Sequence, residues 1–92
     1  MILIERELNG GTQTVHKFDN GYGASVISGG TYTYGGDEGL KELAVIKFYD
    51  GDKWHLCYDT EITDDVLGYL TDEDVADLLV QIEALEATNE KD

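Results

Sequence analysis

The chain has 92 residues, room for one hydrophobic core, and its 41% apolar content is enough to fill a modest one, which excludes wholesale disorder. Twenty acidic residues against six basic ones leave a net charge of -14, which argues against direct contact with nucleic acid or with an anionic membrane. The lone cysteine, Cys57, excludes an internal disulfide framework. With no apolar run near the ~20 residues of a membrane span, and no basic-then-apolar leader at the N-terminus, the expectation is a soluble protein of the cytoplasm.

Glycine supplies the punctuation, because the chain has eleven Gly and no Pro. Ile2–Leu8 alternates as a strand, and Asn9-Gly10-Gly11 then offers residues that tolerate the positive φ of a tight hairpin. Thr12–Phe18 returns, Asp19-Asn20-Gly21 turns again, and Tyr22–Ser28 makes a third strand. The connection from Gly29 to Gly39 holds five glycines around Tyr32 and Tyr34, and reads either as a long hairpin or as a surface loop. Glu42–Tyr49 is the most apolar run of this half and belongs at the centre of the sheet. Asp50-Gly51 turns once more, and Lys53–Tyr58 sets Trp54, Leu56 and Tyr58 against Lys53, His55 and Cys57. The result is a five-stranded antiparallel meander whose one-sided apolar face needs a cover.

The C-terminal segment provides that cover, so the fold class is α+β. Thr71 and Asp74 have the spacing of a capping box, with Asp in place of Glu. Val75, Leu78, Leu79, Ile82 and Leu85 then fall on one helical stripe. Residues 1–92 divide as a sheet over 1–58, a connector over 59–70 with one helical turn at Thr63–Leu70, a helix over 71–87 and a frayed tail over 88–92.

Charge is divided unevenly. Residues 1–58 carry eight acids and five bases, a balance of -3; residues 59–92 carry twelve acids and one base, Lys91, a balance of -11. The helix acids Asp72, Glu73, Asp74, Asp77, Glu83 and Glu86 face no Lys or Arg within the helix, so the usual i,i+4 pairing is missing. A helix over 72–86 spans roughly 22 Å at about 1.5 Å per residue. Six charges over that length is one per about 3.7 Å, near the ~3.4 Å of a single DNA strand and half as dense as a duplex. That density permits a DNA-mimicking surface. An acidic face that only keeps the protein soluble and monomeric has equal weight.

Catalytic and metal chemistry find little footing. His16 and His55 sit on different strands, and His55-Leu56-Cys57 has too few partners for a four-ligand zinc site, so Cys57 reads as packing and His55 as surface. Asp50-Gly51-Asp52 and Asp59-Thr60-Glu61 lack a calcium-loop pattern, and no glycine cluster has the lysine of a phosphate loop. The expectation is therefore no enzyme activity, no metal and no cofactor. Tyr32 and Tyr34 read equally as contact surface, because tyrosine supplies rigid area at low entropic cost, and as plain β-structure.

Leu8-Asn9-Gly10-Gly11-Thr12-Gln13, Phe18-Asp19-Asn20-Gly21-Tyr22-Gly23-Ala24-Ser25-Val26-Ile27 and Ile62-Thr63-Asp64-Asp65-Val66-Leu67-Gly68-Tyr69-Leu70 resemble segments of small acidic accessory proteins of tailed bacteriophages, especially those of actinobacteria. The likeness runs to about Leu85. It implies a bacterial host cytoplasm and carries over no catalytic residue. Together these features predict a phage accessory protein that binds a basic host protein and modulates or inhibits it. A nucleic-acid-handling complex such as a CRISPR effector is one such target. Asp72, Glu73, Asp77 and Glu83 would speed the encounter, and Tyr32 and Tyr34 would hold the contact. The alternative is a structural or assembly module that self-associates through an exposed sheet edge; the high net charge favours a monomer over a homodimer.

Overall fold

The computed structural model describes residues 2–8, 10–29, 39–57, 60, 62 and 66–85. Tyr32, Tyr34, Tyr58, residues 63–65 and the tail over 88–92 lie outside the described residues. Five strands follow one another as a curled antiparallel meander: β1 (Ile2–Leu8), β2 (Gly11–Lys17), β3 (Tyr22–Gly29), β4 (Lys41–Tyr49) and β5 (Lys53–Leu56). The expected meander is present, with β4 inside the sheet. Asp50 and Gly51 both have positive φ, 49° and 86°, the backbone of an Asp-Gly hairpin turn whose twist matches the flanking strands.

A sixth strand, β6 (Leu67–Leu70), replaces the described part of the helical turn expected there. Its cause is tertiary. β5 pairs with β4 only over Ile46–Tyr49, which leaves the N-terminal half of that edge with backbone groups to satisfy. β6 pairs there, Lys41 opposite Leu70 and Leu43 opposite Leu67. Two residues of β6, Gly68 and Tyr69, therefore oppose the single Glu42, which is a β-bulge. Tyr69 takes φ 57°, a left-handed conformation that costs a bulky residue roughly 1–2 kcal/mol.

The helix α1 (Asp72–Glu83) packs on β3, β4 and β6. Its buried seam joins Val75 and Ile82 to Ala24, Val26, Leu43, Val45 and Cys57, with Leu78, Leu79 and Leu85 at the margin. The predicted stripe is the one that packs. Cys57 is a buried packing residue, and its N–H donates to the Val45 carbonyl at 2.9 Å.

The other face of the sheet is not polar, which corrects the expectation of a single apolar face. Val15, Ile46 and Phe48 form a second buried cluster with Leu3, Ile4 and Trp54. A Cβ on Gly23 would come within 2.6 Å of the Phe48 ring, so the absent side chain is what admits Phe48. Trp54 thus sits away from the helix, while Cys57 faces it. Polar groups on this side are satisfied in a chain. Arg6 Nε donates to Gln13 Oε1 at 2.7 Å, and Gln13 Nε2 donates to Ser25 Oγ at 2.8 Å. Among the described residues, no helix is long and apolar enough to cross a membrane.

Candidate functional site: the outer face of the helix

Both ends of α1 are anchored. At the N-terminus Asp74 N–H donates to Thr71 Oγ1 and Thr71 N–H donates to Asp74 Oδ2, each at 3.1 Å, completing the predicted capping box. Three acids in the first turn, Asp72, Glu73 and Asp74, complement the positive end of the helix dipole. The C-terminus has no basic residue in its last turn and no glycine cap; Ala84 is the C-cap. Asn20, on the β2–β3 turn, does the work instead. Its Nδ2 lies 2.8 Å from the Ile82 carbonyl, 3.2 Å from Glu83 and 3.0 Å from Leu85, while its Oδ1 accepts from Tyr22 N–H. These contacts satisfy carbonyls that a helix end leaves without partners. They also account for a helix that stops at Glu83, short of the predicted 87, as Leu85 N–H turns back to Ile82 at 3.1 Å.

A helix held at both ends displays its acids in fixed directions. At about 100° per residue, Asp72 and Glu83 lie roughly 60° and 80° around the axis from buried Val75, and Glu73 and Asp77 roughly 160° and 200°. All four are exposed, and they share an arc of about 140° on the flank and outside of the helix. Val80, 67% exposed, emerges within the same arc. Asp72 pairs with Lys41 across the gap to β4. Of the ion pairs found among the described residues, this is the one that reaches the helix; the others, Lys17–Asp52 at 2.7 Å and Lys53–Asp50 at 3.5 Å, lie within the sheet and its turns. Arg6 is engaged by Gln13. These four carboxylates thus share one side of the helix, with Asp72 beside Lys41. Tyr32 and Tyr34, expected to share this surface, fall outside the described residues.

Other candidate sites have less to offer. His16 is half-buried and stacked on Phe18, with ring centroids 6.5 Å apart. Burial holds its pKa below the usual 6.5, and the positive amino terminus pushes the same way. His55 is exposed and stacks on Tyr49. No group of three or more potential metal-ligating side chains occurs among the described residues. A cleft of about 420 Å3 opens between the β2–β3 and β4–β5 turns, lined by Lys17, Asp19, Tyr49 and Asp50 among others. Its one ammonium, Lys17 Nζ, is already committed to Asp52 and lies 5.1 Å from the centre of the Phe48 ring.

Two features of this surface were not expected from the residues in order. Asn20 reads as a turn residue, and nothing local reveals that its amide caps a helix 62 residues away. Tyr69 reads as part of a short helical turn, yet it stands 60% exposed on β6, three residues before Asp72. No protein-family model, curated protein or solved structure matches this chain.

Proposed function

We propose that this chain binds a protein with a basic surface through the outer face of α1, and by occupying that surface modulates or inhibits it. The observation that carries the reading is the exposed arc of Asp72, Glu73, Asp77 and Glu83 on a helix anchored at both ends. In the described helix, five acids over about 18 Å give one charge per about 3.6 Å, near the spacing of one nucleic-acid strand. Such a surface suits a groove evolved to hold a phosphate backbone, so a nucleic-acid-handling complex is the natural class of target. With the phage resemblance, the reading becomes a small accessory protein acting in a bacterial host cytoplasm, of the DNA-mimic or anti-CRISPR type. It requires no catalytic group, metal or cofactor.

Self-association through β1 is the second reading, favoured by its place at the sheet edge and by Ile2, which is 57% exposed. Against it, the same edge carries exposed Glu5, Arg6 and Glu7, and a register shift interrupts it between Ile2 and Ile4. Charges and irregularities of that kind blunt edge pairing.

Capture from bacterial lysate separates the two. The wild-type protein should retain a basic partner at low ionic strength and release much of it as salt rises. A Glu73→Gln, Asp77→Asn, Glu83→Gln variant should lose that partner while staying folded. Retention indifferent to both salt and these substitutions, or a stable dimer in light scattering with no partner bound, would remove the electrostatic reading.

A further inference from the structure

The β2–β3 turn carries Asn20 directly before Gly21, a pairing in which the asparagine amide is open to attack by the backbone that follows it. The Gly21 nitrogen, once its proton passes to solvent base, bonds to Asn20 Cγ and closes a succinimide ring. Nδ2 takes up a proton and leaves as ammonia. Water then opens the ring, giving aspartate by addition at Cγ, or isoaspartate, with a methylene added to the main chain, by addition at the backbone carbonyl. The sum is water consumed, ammonia released and a carboxylate in place of the amide. Glycine at the following position favours the attack because no Cβ stands in its way.

Both reacting groups are occupied in the fold. Half-buried Asn20 sets Nδ2 2.8 Å from the Ile82 carbonyl, 3.2 Å from Glu83 and 3.0 Å from Leu85, and its Oδ1 accepts from Tyr22 N–H at 3.0 Å. Gly21 N–H donates to the Phe18 carbonyl at 3.3 Å. Ring closure ejects Nδ2 and takes the Gly21 nitrogen, so these bonds have to break first. The acceptors of Nδ2 all belong to the end of α1, which has neither a basic last turn nor a glycine cap, and helix ends open locally at low free energy. The product cannot restore the contact, since a carboxylate has no proton to donate and is repelled by the negative end of the helix. We propose that Asn20 is a self-modification site gated by α1: protected while the helix end is docked, attacked by Gly21 when it lifts, and fixed open by the product. Opening of the helix end thereby becomes a one-way release of residues 82–85, Glu83 included, from the turn. The proposal stands independently of the basic-partner reading.

The test incubates the full chain at mildly alkaline pH, folded and in urea, and follows conversion at Asn20 by peptide mass spectrometry. In urea Asn20-Gly21 should convert at a rate close to that of Asn9-Gly10, the same dipeptide in the unfolded chain. In the folded protein Asn20 should convert roughly tenfold or more slowly, the factor set by how rarely the helix end opens. Leu85→Ala, which loosens the end of α1 at the margin of the seam, should speed conversion in the folded protein and leave the rate in urea unchanged. Leu3→Ala, at the margin of the other cluster, should speed it much less. The converted protein, separated by its added negative charge, should show fast amide exchange at residues 82–85 with the first turn of α1 still protected. Equal rates for Asn20 folded and in urea would overturn the gate. Equal acceleration by Leu3→Ala and Leu85→Ala would overturn it too, by making global unfolding the step that exposes Asn20. A converted protein whose residues 82–85 stay as protected as before would overturn the one-way release.

Discussion

The sheet and the helix treat charge in opposite ways. In the sheet, Lys17 answers Asp52, Lys53 answers Asp50, and exposed Arg6 donates to Gln13, which in turn donates to Ser25 in the interior. In the helix, one flank supplies the core and the other presents carboxylates of which Asp72 alone meets a described ion pair. Stability does not require this arrangement, since i,i+4 Glu–Lys pairs would contribute a few tenths of a kcal/mol each. The helix is kept in place by packing, by its capping box and by Asn20. Anchoring comes from apolar contact, the capping box and Asn20, with Asp72 adding its pair to Lys41, while the carboxylates of Glu73, Asp77 and Glu83 lie outside these anchoring contacts.

The largest effect expected from breaking this division is at the seam. Ile82 is fully buried between helix and sheet, and Ile82→Ala should cost about 2–5 kcal/mol in urea unfolding. Leu79, at the margin of the same cluster, should be more forgiving. Next comes Asn20→Asp, which removes the amide donors and sets a negative charge against the negative end of the helix. A loss of about 1–3 kcal/mol is expected, with the amides of residues 82–85 exchanging faster than those of β3. An unchanged midpoint would show that the turn does not hold the helix.

The smallest effect belongs to the sheet alone. Because His16 has a lowered pKa in the folded state, the unfolded chain binds its proton first as pH falls. The stability associated with neutral His16 is complete above its usual 6.5 and is lost as pH drops through the folded value. Comparing the urea midpoints of wild type and His16→Gln between pH 7.5 and 5 should therefore show wild type losing ground at the acid end. A constant difference across that range would count against a lowered pKa for half-buried His16.

Much of this architecture is legible in the residues because local signals agree with the global fold. Asp50-Gly51 both turns the chain and matches the strand twist, and Thr71 with Asp74 marks the helix start four residues before the first buried position, Val75. What stayed hidden depends on distant partners. Leu67–Leu70 has the composition of a helical turn and becomes a strand because β4 has an unfilled edge beside it. Apolar residues on both sides of β4 and β5 show that each face packs, and Gly23 shows why only once Phe48 is seen resting on it. The acids of the candidate site could be named from charge asymmetry alone. Their common arc could be inferred only after the seam fixed which side of the helix is buried.

The most direct test compares equal charge removal in the two regions. One variant carries Glu73→Gln, Asp77→Asn and Glu83→Gln on the helix, the other Glu5→Gln, Glu7→Gln and Asp19→Asn on the sheet, and each is titrated with nona-arginine across a range of salt. If the helix face is the interface, its variant should bind more weakly with a flatter salt dependence, while the sheet variant stays close to wild type. Equal losses in both would mean that net charge, wherever it sits, accounts for the binding, and would contradict a dedicated surface on α1.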